Sequence, residues 1–246
     1  MNKVISFHGS DHKVGTSQIS QCTAEVFAKS FPKSSVLLIQ ADGGPAPNYC
    51  NKLRETIEGI RPFLAQEIVN IPDIKEKSFY KNNLYIIGGQ NKPGMSEYLT
   101  PDMGEILVDA LRDEFDLIIL DTGSEIEDGF SLGAILASDS VYMVINQSES
   151  SLRRYEWYSF LFDHISLDFD SFILNKYNKN SVYEKEYIAE RLLIDKAKII
   201  TIREDKRGAD AEMLNESLIS AKASKSFKND IEKLVKDIAN NAGITA

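Results

Sequence analysis

Near the start of the chain, His8-Gly9-Ser10-Asp11-His12-Lys13-Val14-Gly15-Thr16-Ser17 joins the strand-like run Val4-Ile5-Ser6-Phe7 to a helix-period stretch. A loop running from a strand into a helix N-terminus aims backbone N–H groups and the positive end of the helix dipole at an anion. A working phosphate loop adds glycines for close backbone approach, a lysine on the β/γ-phosphates, and a Ser or Thr hydroxyl on Mg²⁺. Gly9, Gly15 and Ser17 occupy the first-glycine, last-glycine and hydroxyl places, whereas Thr16 stands where the lysine belongs. Two carboxylates follow apolar runs further on, Asp42 after Val36–Ile39 and Asp121 after Leu117–Leu120. The C-terminal edge of an α/β sheet is where such acids meet ligands.

The surrounding pattern supplies the elements to position these groups. Short apolar runs alternate with longer helix-period segments, which predicts parallel strands joined by crossover helices. Strands are expected at Val4–Phe7, Val36–Ile39, Leu84–Ile87, Leu117–Leu120, Ser140–Ile145, Asp170–Leu174 and Lys198–Ile202. Several are continuously apolar, as strands covered on both faces must be. Helices are expected at Ser17–Ser30, Asp102–Glu114, Ser150–His164, Val182–Leu193 and Lys225–Asn240. In the last, Phe227, Ile231, Leu234, Val235 and Ile238 form an apolar stripe. Without a strongly basic opposite face, that stripe reads as a packing surface rather than a membrane anchor. Gly43–Asp73 is the least regular stretch and the place for a partner-facing insertion.

A chain of 246 residues fits a single α/β domain over 1–246. Its formal net charge of −9 argues against a nucleic-acid coat, since phosphate backbones are bound through clustered Lys and Arg. Acids concentrate between Met95 and Ile145, where Arg112 is the only base, and they read as solvated faces. Cys22 and Cys50 make neither a metal spacing nor a disulfide framework, and Cys22 reads as a small buried residue of its helix. Met1-Asn2-Lys3 leads directly into the first strand, and no apolar run approaches the roughly 18 residues of a membrane span. These features predict a soluble, cytoplasmic protein.

Taken in order, seven segments resemble the MinD/ParA-like deviant Walker A ATPases, in character the TadZ/CpaE-type pilus-localisation proteins. Asp11-His12-Lys13-Val14-Gly15-Thr16-Ser17 aligns with that family's K-G-G-x-G-K-[ST] loop. Val36-Leu37-Leu38-Ile39-Gln40-Ala41-Asp42 matches its strand ending in D-x-D, and Leu84-Tyr85-Ile86-Ile87-Gly88-Gly89 its LYVLPGG strand. Phe115-Asp116-Leu117-Ile118-Ile119-Leu120-Asp121-Thr122 is similar to its Walker B strand FDYIIIDTP. The stretch from Val144 to Arg153 resembles VTNPEISSVR, Leu174-Asn175-Lys176-Tyr177 resembles LNRY, and Ile202-Arg203-Glu204-Asp205 resembles IPED. The resemblance runs from Met1 to about Ser220 and implies a three-layer P-loop NTPase fold. Its mainly parallel sheet would have about seven strands with helices on both faces.

The resemblance also implies roles, each beside a plainer reading. Ser17 would ligand Mg²⁺ or cap its helix, and Asp121 would hold the water shell of Mg²⁺. Asp42 would couple nucleotide state to a switch loop, the one candidate for the catalytic set, or else form a turn with the Gly-Gly-Pro that follows. Asn175 would read the adenine edge or cap its strand, and Arg153 and Arg154 open a helix near the nucleotide rim. Gly9, Lys13, Gly15 and Thr16 would complete the ATP site. The departures are Asp11 for the signature lysine, Thr16 for the phosphate lysine, Gln40 for the acid that orients water, and His12 and Lys13 for two loop glycines. Phosphoryl transfer depends on positioning and charge neutralisation, so these losses strike its main sources of rate. The expectation is a homodimeric, ATP- and Mg²⁺-binding scaffold with impaired hydrolysis that assembles a machine such as a pilus or secretion apparatus through protein partners. No nucleic-acid surface and no membrane anchor are expected. The alternative is an active ATPase switch of the partitioning or division-site type.

Overall fold

The computed structural model describes residues 3–42, 49, 50, 53–90, 92, 94 and 96–245. Eight strands form one sheet: β1 (Lys3–Gly9), β2 (Val36–Gln40), β3 (Phe79–Lys81), β4 (Leu84–Ile87), β5 (Leu117–Asp121), β6 (Ser140–Asn146), β7 (Ser171–Tyr177) and β8 (Ile199–Arg203). Their order is β3-β4-β2-β5-β1-β6-β7-β8. Neighbours are parallel throughout except β3 and β4. The helices are α1 (Thr16–Ser30), α2 (Ile57–Leu64), α3 (Ile71–Ser78), α4 (Pro101–Leu111), α5 (Gly129–Leu136), α6 (Glu149–His164), α7 (Lys185–Arg191), α8 (Gly208–Leu214) and α9 (Lys225–Ala242).

The continuous apolar runs are explained by the two packed faces, because successive strand side chains point to opposite sides of the sheet. Ile5, Phe7, Leu38, Ile119 and Val144 face the layer of α1 and α9. Their neighbours Val4, Leu37, Ile39, Ile118 and Leu120 pack under α2, α4 and α5. Met143, Ile145, Phe172 and Leu174 pack under α6 and α7. The stripe of α9 (Phe227, Ile231, Leu234, Val235, Ile238) is buried against the sheet as expected, and Cys22 is buried in α1. At roughly 2 kcal/mol per large apolar side chain, the stripe contributes on the order of 10 kcal/mol before ordering costs. No helix among the described residues is long and apolar enough to cross a membrane.

The eighth strand is β3, a three-residue antiparallel edge joined to β4 through Asn82, which takes a left-handed φ of 53°. Too short and too exposed to read as a strand from its residues, it makes the sheet one strand wider than the seven expected. Within Gly43–Asp73, residues 43–48, 51 and 52 lie outside the described residues. The remainder contains α2 and the start of α3, capped by the side chains of Thr56 and Asn70.

Candidate functional site

Parallel register brings the ends of β1, β5 and β2 level: Phe7 pairs with Asp121, and Asp121 with Gln40. The phosphate-loop candidates thus lie beside the acid that ends β5. Gly15 is the N-cap of α1 with φ 98°, and among the described residues no side chain caps that helix and no acid occupies its first turn. The positive φ favours glycine, and the site is crowded as well, since a Cβ there would lie 2.4 Å from Asn175 Nδ2. Gly9 is just as confined, its Cβ position lying 2.4 Å from Thr16 Oγ1.

The Ser17 side chain lies beside the Asp121 carboxyl, which accepts from the Gly123 N–H at 3.4 Å. Burial pushes the Asp121 carboxyl up to about 7; the Ser17 side chain opposes that rise, while the nearby Asp42 charge adds to it. Asp128 is held at about 6 by burial and by the same Asp42 charge. Asp42 itself lies over the backbone of Gly123, where a Cβ would come within 2.4–2.7 Å of its carboxyl atoms. Asp42 thus bears on both Asp121 and Asp128, although among the described residues no group of three His, Cys, Asp or Glu side chains is placed to hold a metal ion.

Asn175 and Lys176 hold the loop from outside. Asn175 Nδ2 donates to the Val14 carbonyl at 2.8 Å, and Lys176 Nζ donates to the Lys13 carbonyl at 2.7 Å. Lys13 and Lys176 both adopt left-handed φ, 60° and 52°. With these carbonyls turned outward, Asn175 meets the loop itself rather than standing free at a strand end. His8, buried beneath the loop against Thr122 Oγ1, is pushed down to about 4 by burial.

The loop tip is tied to its surroundings by charge. His12 Nε2 lies 2.8 Å from Glu125 Oε1, and its Nδ1 lies 3.2 Å from Ser124 Oγ. Arg154 donates to the same Glu125 oxygen at 2.6 Å and lies 4.0 Å from Asp11. Arg153 pairs instead with Glu149 on its own helix. Gln40, level with Asp121, directs its Oε1 to the Gly89 N–H at 3.3 Å and so joins β2 to β4.

A cavity of about 1010 Å³ opens over the loop. It is walled by the loop residues Asp11, Lys13, Gly15, Thr16 and Ser17, by Asn175 and Lys176 beside them, by Asp42, and by residues 203–206. The volume is at the upper end of small-molecule sites and ample for a nucleotide. The site residues predicted from sequence therefore share one cavity, save Gly9 and Asp121, which lie beneath its floor. Glu125, Ser124, Lys176 and Tyr49 were not singled out. Lys176 sat inside a quoted motif, whereas the others enter through long-range contacts that no spacing announces.

The residues present thus suit a Mg²⁺-bound phosphate: an uncapped helix N-terminus, a glycine cradle, and a hydroxyl–carboxyl pair. No family model matches the sequence, and no curated protein matches it. Solved structures do. A ParA family ATPase from Chlorobium tepidum TLS superposes with a TM-score of 0.83 at 17% identity, over 96% of this chain and 99% of that one. The septum site-determining protein MinD from Pyrococcus horikoshii OT3, complexed with Mg-ADP, gives 0.79 at 18% identity over 100% and 99%. A putative plasmid partition protein from Borrelia burgdorferi B31, bound to AMPPNP, gives 0.68 at 20% identity over 96% and 99%. The chain has the P-loop NTPase fold of the MinD and ParA ATPases.

Proposed function

We propose that this chain is a single-domain, cytoplasmic MinD/ParA-like scaffold that binds ATP with Mg²⁺ and hydrolyses it slowly if at all. The observation that carries the reading is the contrast at one sheet edge. Ser17 and Asp121 stand together under an uncapped helix N-terminus, while the lysine and water-orienting places hold Thr16 and a Gln40 committed to Gly89. Ser17 and Asp121 would hold the cation, Gly9, Gly15 and Thr16 the phosphates, and Asn175 the base edge. Lys13 and Lys176 are the nearby cations able to offset triphosphate charge. Asp42 would sense the nucleotide rather than activate water. Bound nucleotide supplies the negative charge that the loop N–H groups and the cation are arranged to meet.

A homodimer that positions a larger assembly, in the manner of the TadZ/CpaE-type proteins, fits a chain of formal net charge −9 in which no described helix is long and apolar enough to cross a membrane. The Aquifex aeolicus MinC:MinD complex is a structural neighbour that pairs with another protein. The solved neighbours bound to Mg-ADP and AMPPNP favour the alternative, an active partitioning or division-site switch. Calorimetric titration of ATP with and without Mg²⁺, joined to a phosphate-release assay, separates the two. The scaffold reading expects Mg²⁺-dependent binding with near-background turnover. Thr16→Lys should tighten ATP by about tenfold without restoring turnover, because a contact made equally in the ground and transition states lowers KM but not the barrier. Wild-type turnover at about 1 s⁻¹ or faster, an ordinary enzymatic rate, would overturn it. Absence of any ATP binding would remove the nucleotide reading altogether.

A further inference from the structure

On the edge of the sheet opposite the phosphate loop, α6 ends and two loops meet, 165–170 entering β7 and 193–198 entering β8. A cavity of about 370 Å³ lies among them. Its floor is aromatic: Tyr155, Phe162, Phe169 and Phe172, with Phe162 and Phe169 edge-to-face at 5.1 Å. At its lip stands Leu193, 92% exposed and with φ 55°.

Leu193 is out of place for the fold alone. It follows the end of α7, where Ile194 N–H bonds the Ala189 carbonyl and Leu193 N–H bonds the Glu190 carbonyl. That paired closure places a left-handed residue at position 193, and glycine is the usual occupant. A leucine there bears the left-handed penalty and also holds its whole side chain in water. Phe160 and Trp157, 80% and 81% exposed on α6, lie on other faces of that helix and do not line this cavity.

The rim is acidic. Asp163 and Asp168 are exposed, and among the described residues neither has an ion pair. Asp195 accepts from the Ala197 N–H. Lys198, the cation at this cavity, donates to the Phe169 carbonyl at 3.1 Å. Apolar contact ringed by unpaired carboxylates selects a ligand that is both apolar and cationic. A symmetric contact with a second copy would set these carboxylates against themselves, and nucleic acid would be repelled.

We propose that this surface docks a basic amphipathic segment of a partner protein, its apolar face on Leu193 and the aromatic floor, its Lys or Arg side chains facing Asp163 and Asp168. Recognition of this kind uses an amphipathic helix laid in a groove. It is independent of the nucleotide cavity on the other edge.

The test is a fluorescence-anisotropy titration with a labelled peptide of about 16 residues, leucines on one helical face and arginines on the other. A matched peptide replaces each arginine with glutamate. The arginine peptide should bind the wild type and the glutamate peptide should not. Leu193→Gly should weaken binding at least tenfold while raising Tm, because glycine suits the backbone that leucine strains. Asp163→Asn with Asp168→Asn should weaken binding similarly and flatten its salt dependence. The proposal is overturned if the arginine peptide does not bind up to about 1 mM, if both peptides bind alike, or if Leu193→Gly leaves affinity intact or lowers Tm. A dimer in sedimentation that Leu193→Gly dissolves would also overturn it, making a second copy the occupant.

Discussion

The inner wall of the nucleotide cavity and the tip of its loop solve the same electrostatic problem in different ways. At the wall, Gly9, Gly15, Ser17 and Asp121 are placed by backbone: strand register and a left-handed N-cap at the head of the helix that carries Ser17. At the tip, Asp11 and His12 are bridged through their side chains to Arg154 and Glu125, while the Lys13 carbonyl is held by Lys176 of β7. Groups held by the backbone of a packed sheet cannot be moved without disturbing the fold, whereas side-chain charges at a loop tip can be exchanged cheaply. On the function proposed above, anion binding belongs to the wall and fast phosphoryl transfer to the tip. A chain can therefore retain the first function while its second is remodelled.

The largest effect expected from this contrast is at Asp121. Burial raises its carboxyl from 3.8 to about 7, so between those values the folded protein holds a proton that the unfolded chain has lost. Folded-state proton excess makes stability fall as pH rises through that window and level off above it. Between pH 5 and pH 8 the fall should be about 2–3 kcal/mol. Asp121→Asn should remove it, leaving the ligand-free variant more stable than the wild type at pH 8 and little changed at pH 5. Urea unfolding at the two values measures this. A wild-type minus variant difference independent of pH would show that the buried carboxyl is not strained.

Next comes Gly15→Ala. A φ of 98° and an Asn175 Nδ2 within 2.4 Å of the new Cβ should together destabilise by about 2 kcal/mol, or roughly 4–8 °C in Tm. Nucleotide affinity should fall with it, because the loop N–H groups turn with Gly15. Adding Asn175→Ala gives a cycle: the double variant should recover the steric share and keep the backbone share. Full recovery would mean that the left-handed turn is not strained for alanine.

Much of this contrast was legible before any coordinates. Leu117–Leu120 and Val36–Ile39 announced doubly covered strands by being apolar at every position, and their following acids marked the sheet edge. Gly9, Gly15 and Ser17 were recognisable because each is placed by its own position between the first strand and the first helix. What escaped notice depends on distance in the chain. Glu125 meets His12 across more than a hundred residues, and Lys176 reaches Lys13 across 163. Among the elements, α5 was missed because Gly129–Leu136 is apolar around its whole circumference and contains Gly133 against α4, so it lacks an amphipathic period. In α2, Pro62 interrupts the usual pattern of a helix.

The smallest effect in stability is the most informative about the tip. The His12–Glu125 pair is exposed, 66% and 38% at the side chains, and pairs of this kind contribute less than about 1 kcal/mol. Glu125→Gln should accordingly leave Tm within about 4 °C of the wild type. Its effect on anions should be larger than its effect on the fold. Glu125 places a negative charge beside the loop and occupies both His12 and Arg154, so removing that charge releases two nitrogen donors at the cavity mouth while subtracting a repulsion. Affinity for inorganic phosphate and for ATP should rise about three- to tenfold at low salt, and the gain should fade toward 1 M salt, where the screening length shrinks to about 3 Å. A calorimetric salt series on both proteins makes the comparison. If affinity drops instead, Glu125 works by fixing the Arg154 guanidinium in a productive place, and the tip is then as position-dependent as the wall.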